Sequence, residues 1–544
     1  MDENFKFRKN KSNLKISFER IAFIFFIFFF IAITFSAKTI YLSFKKKPET
    51  KSIIKKEKFR ASIMDRNGNI IAKTVRVTNL GINPNQVINK DKLLISLKLI
   101  FPDKNFKEQF NGNKFFYIKK KVSPEKLKKV KLLGEKSIRE EDNIARVYPN
   151  GNLFSHILGQ IDTDNNGVSG IEKSFDYELT TSKDPLNLTL DTELQYITRE
   201  ELLKYQDIFK SYGSTAILMN INNGEILSMV SLPDFDLNKR ENILDKKFIN
   251  RSTKGIYELG SVFKTFTLAA GLQENVIELD TLFENLPKKV KCAGRSISEY
   301  DLDIPSNLTA EQILIRSGNI GSIKIAQMVG IEKFKRFLED LDLLNKTQFD
   351  IEETGTPIPF KWGKCKLATS AYGHGITTTP LQLAKAYAII ANGGYKINPT
   401  LLKKKEKLKK GEQIISEENS KKINSILRKI VTSSAGTANL ANIDGYEIAG
   451  KTGTAQKSFE GKYSKKKVNT FASIFPISSP KYVLVVLLDE PKISNDYVYS
   501  YNDGKERNII GTPFNTAGWT SVEVAKSIIE KIGPILATKY YDFY

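Results

Sequence analysis

A long uncharged segment near the N-terminus constrains this chain more than any other feature. Residues 21–37 carry no charge, and the apolar character continues to Phe44, with Lys38 as the one charge in these 24 residues. A segment of this length and composition is typical of a helix that spans the hydrocarbon layer of a membrane. Lys38 lies near one end, where its long side chain can reach the interface. The sequence therefore predicts a single membrane-spanning helix over residues 21–44, behind a basic head of residues 1–20.

A cleaved signal peptide is the alternative interpretation of this segment. The residues around Ser36 and Ala37 lack a small residue three positions before a cut, and the apolar run is longer than a signal requires. Lysines also follow the helix over residues 45–58, so the numbers of positive charges on its two sides are nearly equal. A single N-terminal span that exports a large C-terminal body is the favoured topology. We expect an uncleaved, single-pass anchor in the inner (cytoplasmic) membrane, with the body in the periplasm or extracytoplasmic space.

The composition is strongly basic, with 84 Lys and Arg against 61 Asp and Glu and a net charge of +23 in 544 residues. Such an excess first suggests nucleic acid as a partner. The basic residues, however, concentrate in the head, after the helix and in a run at 403–410, without a basic recognition helix. Cys292 and Cys365 are too few for a disulfide framework, and no Cys or His spacing suggests zinc. We therefore expect no nucleic-acid partner, no metal and no organic cofactor.

Two domains are expected beyond the anchor. Residues 45–185 are rich in Lys and Asn, with short strand-like runs around a turn at 65–68, and predict a small extended domain. Residues 186–544 mix strand and helix patterns, which predicts an α+β fold with an antiparallel sheet flanked by helices. Strands are predicted at 213–219, 225–230, 471–475 and 482–488, and helices at 261–273, 380–391 and 522–532.

The chemical signal begins at Ser261, which lies three residues before Lys264. On a helix this spacing puts both side chains on one face, so that the amine can reach the hydroxyl. The same spacing occurs at six other serines, and alone it is not specific. Ser261 differs because it follows Leu259-Gly260 and opens an apolar helical run. At a helix N-terminus the backbone N–H groups are unpaired and can bind an oxyanion.

Two further segments follow in a definite order. Ser317-Gly318-Asn319 lies 56 residues after Ser261, and Lys451-Thr452-Gly453-Thr454 lies 134 residues after Ser317. Each triplet alone is more often structural than catalytic. The ordered set S-x-x-K, S-x-N and K-T-G is the pattern of penicillin-binding enzymes that form an acyl-serine. Together the three segments predict such an enzyme.

The chain resembles the class B penicillin-binding proteins over residues 60 to about 536. The resemblance rests on these motifs and on flanking segments such as the run at 146–151 and GHGITTTPLQLA at 373–384. It implies a single membrane helix, a pedestal (dimerisation-type) domain and a large transpeptidase domain like that of serine β-lactamases. It further implies D,D-transpeptidase activity on peptidoglycan stem peptides that end in D-Ala-D-Ala, and binding of β-lactams.

Site roles follow from the resemblance and from the chemistry of each group. Ser261 is expected to be the nucleophile and Lys264 its general base, with a pKa lowered by burial and by a nearby cation such as Lys451. Ser317 is expected to relay a proton to the departing amine, and Asn319 to position the substrate amide and Lys264. The remaining residues are expected to bind substrate. Lys451, Thr452 and Thr454 would hold the donor carboxylate, Gly453 would admit the substrate backbone, and the N–H groups of Ser261 and Thr454 would form the oxyanion hole.

Several alternatives remain at this point. The SGNIG segment and the C-terminal segment at 516–536 are more similar to the division-specific type, FtsI or penicillin-binding protein 3, than to the elongation type. A division role would imply an FtsW-type membrane glycosyltransferase and other divisome proteins as partners. A β-lactamase would need a deacylating E-x-x-L-N segment, which does not occur between Asn319 and Lys451, and a bifunctional enzyme would need a glycosyltransferase domain, for which the pedestal is too short. A non-enzymatic penicillin-binding sensor or scaffold is a further alternative.

Other polar residues have structural interpretations. His156 and His374 lack triad or ligand spacing and are predicted to be hydrogen-bonded structural residues. Four charged residues are predicted to tie the pedestal to the large domain by ion pairs rather than to touch substrate: Arg60, Asp65, Glu172 and Arg251.

Overall fold

The computed structural model describes residues 4–6, 15–44, 59–239, 245–292, 294–403, 410–459, 462–502 and 506–540. The chain divides into two compact units, Met1–Lys58 and Phe59–Tyr544. Most of the predicted basic head, the lysine-rich stretch at 45–58 and most of the basic run at 403–410 lie outside the described residues.

The first unit contains the predicted apolar helix. Strands β1 (Asn4–Lys6) and β2 (Lys15–Ser17) pair antiparallel and lead into helix α1 (Phe18–Phe44). The segment Phe18–Ser43 has a mean hydropathy of 2.3, and none of it is buried within the protein. At 1.5 Å per residue, α1 is roughly 40 Å long, more than the hydrocarbon layer of a bilayer requires. The apolar segment predicted at 21–44 thus forms one helix, which starts three residues earlier than expected and is long enough to span a membrane.

The second unit begins with a module of residues 59–187, which we call the N-terminal module. Its strands are β3 (Ile63–Met64), β4 (Ile70–Ile82), β5 (Phe116–Val122), β6 (Ile138–Val147) and β7 (Leu186–Asn187). Its helices are α2 (Lys90–Ile100), α3 (Lys107–Asn111), α4 (Pro124–Lys131), α5 (Ser155–Leu158), α6 (Gly170–Ser174) and α7 (Asp176–Thr181). The sheet order is β5-β4-β3-β7 with β6 also paired to β4, and β7 runs parallel to β3. The central strand β4, with 13 residues, is longer than the short strands predicted here.

Ion pairs in this module differ from the prediction. Arg60 Nε lies 2.8 Å from a Glu172 carboxylate oxygen, and Arg60 Nη1 lies 2.5 Å from Asp176 Oδ1. Both partners of Arg60 belong to the same module, so the prediction that Arg60 and Glu172 tie two domains together is wrong. Arg60 instead fastens α6 and α7 to the segment before β3.

The predictions for the other two charged residues have different outcomes. The Asp65 carboxylate accepts hydrogen bonds from the Thr192 hydroxyl at 2.5 Å and the Thr192 N–H at 3.2 Å, which links the N-terminal module to the region after it. Arg251 Nε lies 3.5 Å from Asp489, which also belongs to the large domain. Asp65 therefore does link the two parts, but by hydrogen bonds to a neutral residue and not by the predicted ion pair, and the prediction is wrong for Arg251.

The remaining residues form the large domain. Its helices are α8 (Thr192–Ile208), α9 (Lys264–Gln273), α10 (Ala310–Ile315), α11 (Asn319–Val329), α12 (Ile331–Asp340), α13 (Lys364–Ser370), α14 (Pro380–Ala391), α15 (Glu417–Thr432) and α16 (Ser521–Lys539). Its strands are β8 (Gly213–Asn220), β9 (Ile226–Leu232), β10 (Leu282–Phe283), β11 (Lys289–Cys292), β12 (Arg295–Ser298), β13 (Leu308–Thr309), β14 (Ala449–Phe459), β15 (Lys462–Phe475), β16 (Tyr482–Asp489), β17 (Val498–Asn502) and β18 (Glu506–Ile510).

A five-stranded antiparallel sheet in the order β14-β15-β16-β8-β9 organises this domain. Every residue of β8, β9 and β16 is buried, which requires cover on both faces of the sheet. Helices α8 and α16 pack together and against the sheet, while α14 also packs on β8 and β16. The predicted α+β class is confirmed, as are the predicted strands and helices.

Helix α14 shows how local sequence sets an element boundary. Thr379 caps the helix, its hydroxyl accepting the N–H of Gln382 while the Gln382 side chain accepts the N–H of Thr379. Pro380 occupies the first turn, where a missing N–H costs nothing. The helix therefore begins at the residue predicted from the sequence and places a wholly buried face behind the sheet.

Candidate active site

Ser261 lies in a short 3-10 turn, Gly260–Phe263, that continues directly into α9. Because a 3-10 turn has three residues per turn, side chains three apart line up on one face. Lys264 is therefore on the Ser261 side, and it is 2% exposed. Helix α9 is buried from Lys264 to Leu272, since it is apolar on nearly every side. The turn thus presents a partly exposed serine above a buried amine.

Two glycines allow this turn to lie directly on the edge strand β14. Gly260 has φ +62°, and a Cβ added there would lie 2.7 Å from the carbonyl oxygen of Thr454. A Cβ added to Gly453 would lie 2.1 Å from the carbonyl oxygen of Leu259. Only glycine permits this approach of two backbones. Gly453 thus brings the serine turn against the K-T-G strand.

The three motifs meet at the hydroxyl of Ser317. Lys264 Nζ lies 3.2 Å from Ser317 Oγ and also donates to the Ser317 carbonyl oxygen. Lys451 Nζ lies 2.9 Å from the same Oγ and donates to the Thr452 carbonyl oxygen at 3.2 Å. Ser317 has φ +59°, a conformation that is uncommon for a residue with a side chain. Two lysine amines from separate elements therefore converge on one serine.

Burial changes the proton affinity of both amines. Loss of water around Lys264 lowers its pKa to about 7, although the negative charge of Glu299 opposes this shift. Burial also lowers the pKa of Lys451 well below its usual value, and the positive charge of Lys264 lowers it further. We call Lys264 and Lys451 the lysine pair. Near neutral pH the pair binds fewer protons than two ordinary lysines, so an amine is available as a base.

The other predicted site residues differ in their hydrogen-bond partners and in their exposure. The Asn319 side chain donates to the Ser298 carbonyl oxygen at 2.8 Å, and no bond between Asn319 and Lys264 is seen among the described residues. Thr452 Oγ1 lies 2.7 Å from Thr437 Oγ1. Thr454 Oγ1 accepts the N–H of Ala517 at 3.0 Å and remains partly exposed. The threonine hydroxyls thus lie at the more open side of the strand, while Lys451 is 0% exposed.

Sequence reasoning missed Glu299. Its two carboxylate oxygens accept the backbone N–H groups of Asn319 at 2.6 Å and Ile320 at 2.8 Å, and the side chain is 7% exposed. No spacing rule relates a glutamate to a motif that begins 18 residues later. The signal that was available is the N-cap position of α11, which is Gly318 and has no side chain to cap the helix.

A disulfide was also missed. Cys292 at the end of β11 bonds Cys365 in α13, with 5.5 Å between the Cα atoms and a sequence separation of 73 residues. Two cysteines do not form a framework of disulfides, but they are sufficient for one bond. It connects the hairpin of β11 and β12, which leads to Glu299, with the helix that precedes His374.

The two histidines have different surroundings. His156 is half-buried, and its Nε2 lies 2.8 Å from the Pro233 carbonyl oxygen, which confirms the predicted structural role. His374 lies between the rings of Tyr372 and Tyr463, whose centroids are 5.3 and 5.0 Å from its own. Burial lowers the pKa of His374, the negative charge of Glu258 opposes this shift, and the positive charge of Lys264 adds to it.

Comparison with known families matches both parts of the second unit. The model of the penicillin binding protein transpeptidase domain matches residues 214–514, and the penicillin-binding protein dimerisation domain matches residues 55–204. The transpeptidase match contains all three motifs that meet at Ser317.

Individual relatives are similar over most of their length. The probable peptidoglycan D,D-transpeptidase FtsI of Caulobacter vibrioides is 28% identical, over 88% of this chain and 82% of the relative. Stage V sporulation protein D of Bacillus subtilis is 31% identical, over 80% and 74%. The peptidoglycan D,D-transpeptidase FtsI of Escherichia coli is 28% identical, over 80% of both chains.

Proposed function

The chain belongs to the penicillin-binding protein transpeptidase family, and from that premise we propose that it is a membrane-anchored peptidoglycan D,D-transpeptidase. The observation that carries this proposal is the convergence of Lys264 and Lys451 on the hydroxyl of Ser317. Lys264 lies one helical turn after Ser261. The names of the FtsI relatives, which are peptidoglycan D,D-transpeptidases, support peptidoglycan as the substrate.

In the proposed acylation, Ser261 Oγ attacks the carbonyl carbon of the penultimate D-Ala of a donor stem peptide. The hydroxyl proton passes to neutral Lys264, whose pKa of about 7 leaves much of the amine free near neutrality. The bond between this carbon and the nitrogen of the terminal D-Ala then breaks. Ser317, which touches both lysine amines, is placed to pass this proton from Lys264 to that nitrogen, so that Lys264 is neutral again when the terminal D-Ala leaves. The product is an ester on Ser261.

The edge strand supplies substrate binding in this proposal. The Thr452 and Thr454 hydroxyls, with the positive charge of Lys451 behind them, hold the terminal carboxylate of the donor. A bound carboxylate favours a protonated Lys451, and the protonated Lys451 in turn favours a neutral Lys264. Substrate binding would thus favour a protonated Lys451 beside a neutral Lys264. The backbone N–H groups of Ser261 and Thr454 serve as the oxyanion hole, and Asn319 contacts the substrate amide.

Deacylation completes the proposed crosslink. An amine of a second stem peptide attacks the ester carbon and gives up a proton to neutral Lys264. The bond to Ser261 Oγ breaks, and Lys264 returns that proton to Ser261. A β-lactam would enter by the same attack, with its ring nitrogen as the leaving group, and would remain as an ester.

The proposed location is the extracytoplasmic face of the inner membrane, with α1 as an uncleaved single-pass anchor. The Cys292–Cys365 disulfide supports this orientation, because disulfides persist in oxidising compartments and are rare in the cytosol. The proposed role is septal crosslinking in cell division, with an FtsW-type glycosyltransferase and other divisome proteins as partners. Two relatives named FtsI support the division type.

The catalytic proposal is tested by labelling membranes that contain the full-length protein with a fluorescent penicillin. Ser261→Ala is expected to abolish the label, because the ester has no other oxygen on which to form. Ser464→Ala is a matched control with the same S-x-x-K spacing, and its hydroxyl is bonded to the Lys457 carbonyl oxygen instead. It should keep the label. Equal labelling of Ser261→Ala and wild type would contradict the assignment of the nucleophile.

The division role requires a separate experiment in the source cells. Depletion of the protein is expected to produce filaments, since cells that cannot build a septum continue to elongate. Round cells would instead indicate the elongation type, which is the alternative role.

A further inference from the structure

Glu299 is a buried carboxylate beside the lysine pair, and no role has yet been given to it. It follows β12 directly, is 7% exposed, and binds the N–H groups of Asn319 and Ile320 with one oxygen each. These N–H groups open α11, where the helix has no partner for them and where its dipole favours negative charge. Because the N-cap residue is Gly318, this distant carboxylate supplies the cap that a local side chain cannot.

The capped residues adjoin Ser317. Ser317 is held at φ +59°, which persists in a side-chain-bearing residue only when neighbouring structure enforces it. Its carbonyl oxygen and its hydroxyl both accept from Lys264. A carboxylate that fixes the next two N–H groups therefore also fixes the turn on which Lys264 and Lys451 meet.

Charge gives a second and independent link to Lys264. Among the described residues, three titratable groups interact with this amine through their charge: Lys451 from β14, His374 from the loop before α14, and Glu299 directly after β12. Of these groups, Glu299 carries the negative charge. A carboxylate near a desolvated amine increases its affinity for a proton and so strengthens it as a base.

We propose that Glu299 is a positioning residue for acylation, which fixes the Ser317 turn and sets the proton affinity of Lys264. The proposal rests on the transpeptidase function proposed above. It assigns Glu299 no contact with substrate.

The test is the rate of acylation of the full-length protein by a fluorescent penicillin, measured from about pH 5 to about pH 9. Glu299→Gln keeps the shape of the side chain and removes its charge. The midpoint, which is the pH at which acylation by this variant is half-maximal on the acidic side, should fall by roughly one unit. The maximal rate should fall roughly tenfold, because Lys264 is then a weaker base. Glu299→Asp keeps the charge on a shorter side chain, and should lose rate while its midpoint stays nearer to that of the wild type.

Glu284→Gln, at an exposed position in the segment before β11, is the matched control and should behave as wild type. A Glu299→Gln enzyme with the rate and midpoint of the wild type would overturn the proposal. An equal midpoint in Glu299→Gln and Glu299→Asp, with rates lowered alike, would also overturn it, since only packing would then have changed. Failure of the transpeptidase proposal is distinguishable, because wild type and Ser261→Ala would then label equally.

Discussion

Two groups of charged residues in the interior of this protein differ in how their charges are compensated. In the N-terminal module, Arg60 and Arg146 share the carboxylate of Glu172, at 2.8 and 2.7 Å, and Asp176 pairs with Arg60. We call these four residues the arginine cluster. In the large domain, no carboxylate of the described residues is in direct contact with the lysine pair, and its amines share the neutral hydroxyl of Ser317.

This difference indicates that the arginine cluster stabilises the fold, whereas the lysine pair has the altered proton affinity that chemistry requires. Each cation of the arginine cluster lies against a carboxylate, which offsets much of the cost of removing the charges from water. The positive charge of the lysine pair is partly compensated by Glu299, which contacts backbone N–H groups instead of an amine. The free-energy cost of burying these two amines that is not compensated lowers the pKa of both Lys264 and Lys451. Perturbed pKa values of this kind are characteristic of functional sites.

The largest effect is expected from Lys264→Met, which breaks the lysine pair. Loss of the general base should slow acylation by penicillin about 10²- to 10⁴-fold. Because a desolvated amine is replaced by an apolar side chain, the melting temperature should stay equal or rise. The measurements are acylation kinetics and thermal denaturation of the purified full-length protein. Acylation within about tenfold of wild type would contradict the role of Lys264.

Glu172→Gln makes the corresponding change in the arginine cluster and should have the opposite outcome. Two buried arginines would share a neutral amide, which should lower the free energy of unfolding by about 3–5 kcal/mol. The acylation rate per folded molecule should not change. Glu178→Gln, an exposed glutamate on α7, serves as the control in denaturation experiments. A stable Glu172→Gln protein would show that the cluster does not hold the module together.

Removal of the disulfide tests how much the Cys292–Cys365 bond stabilises the β11–β12 hairpin, which leads to Glu299. The double variant Cys292→Ser and Cys365→Ser opens a loop that spans 73 positions. The chain-entropy relation gives a loss of up to about 4 kcal/mol for a loop of this length. Thermal denaturation should show an earlier transition, and reduction of the wild type should reproduce it. The same melting temperature in oxidised and reduced wild type would contradict this expectation.

The smallest effect is expected from Thr437→Val, at the substrate side of the pair. Thr437 shares a hydrogen bond with Thr452, the proposed carboxylate-binding residue. Loss of that bond should cost about 0.5–1.5 kcal/mol, seen as an acylation rate lowered by up to about tenfold. Thr432→Val changes an exposed threonine on α15 and should leave the rate unchanged. If both variants acylate alike, the orientation of Thr452 does not matter for binding.

The sequence was sufficient for the parts of the site that consist of contiguous motifs. Ser261 and Lys264 are three residues apart on one turn, and the order of the motifs led to Ser317 and Lys451. Glu299 could not be found this way, because its role comes from the fold that places the end of β12 at the start of α11. The partners of Arg60 were predicted wrongly for the same reason, since charge alone does not say which carboxylate a buried arginine reaches.

The central claim is that Ser261 is acylated with neutral Lys264 as the base, and the pH dependence of wild-type acylation tests it most directly. Lys264 accepts a proton only when unprotonated, so the rate constant should rise with pH through about 7 and then level off. Because burial lowers this pKa, the rise should occur well below the pH at which an ordinary lysine loses its proton. A rate constant that does not change between about pH 5 and about pH 9 would contradict the account.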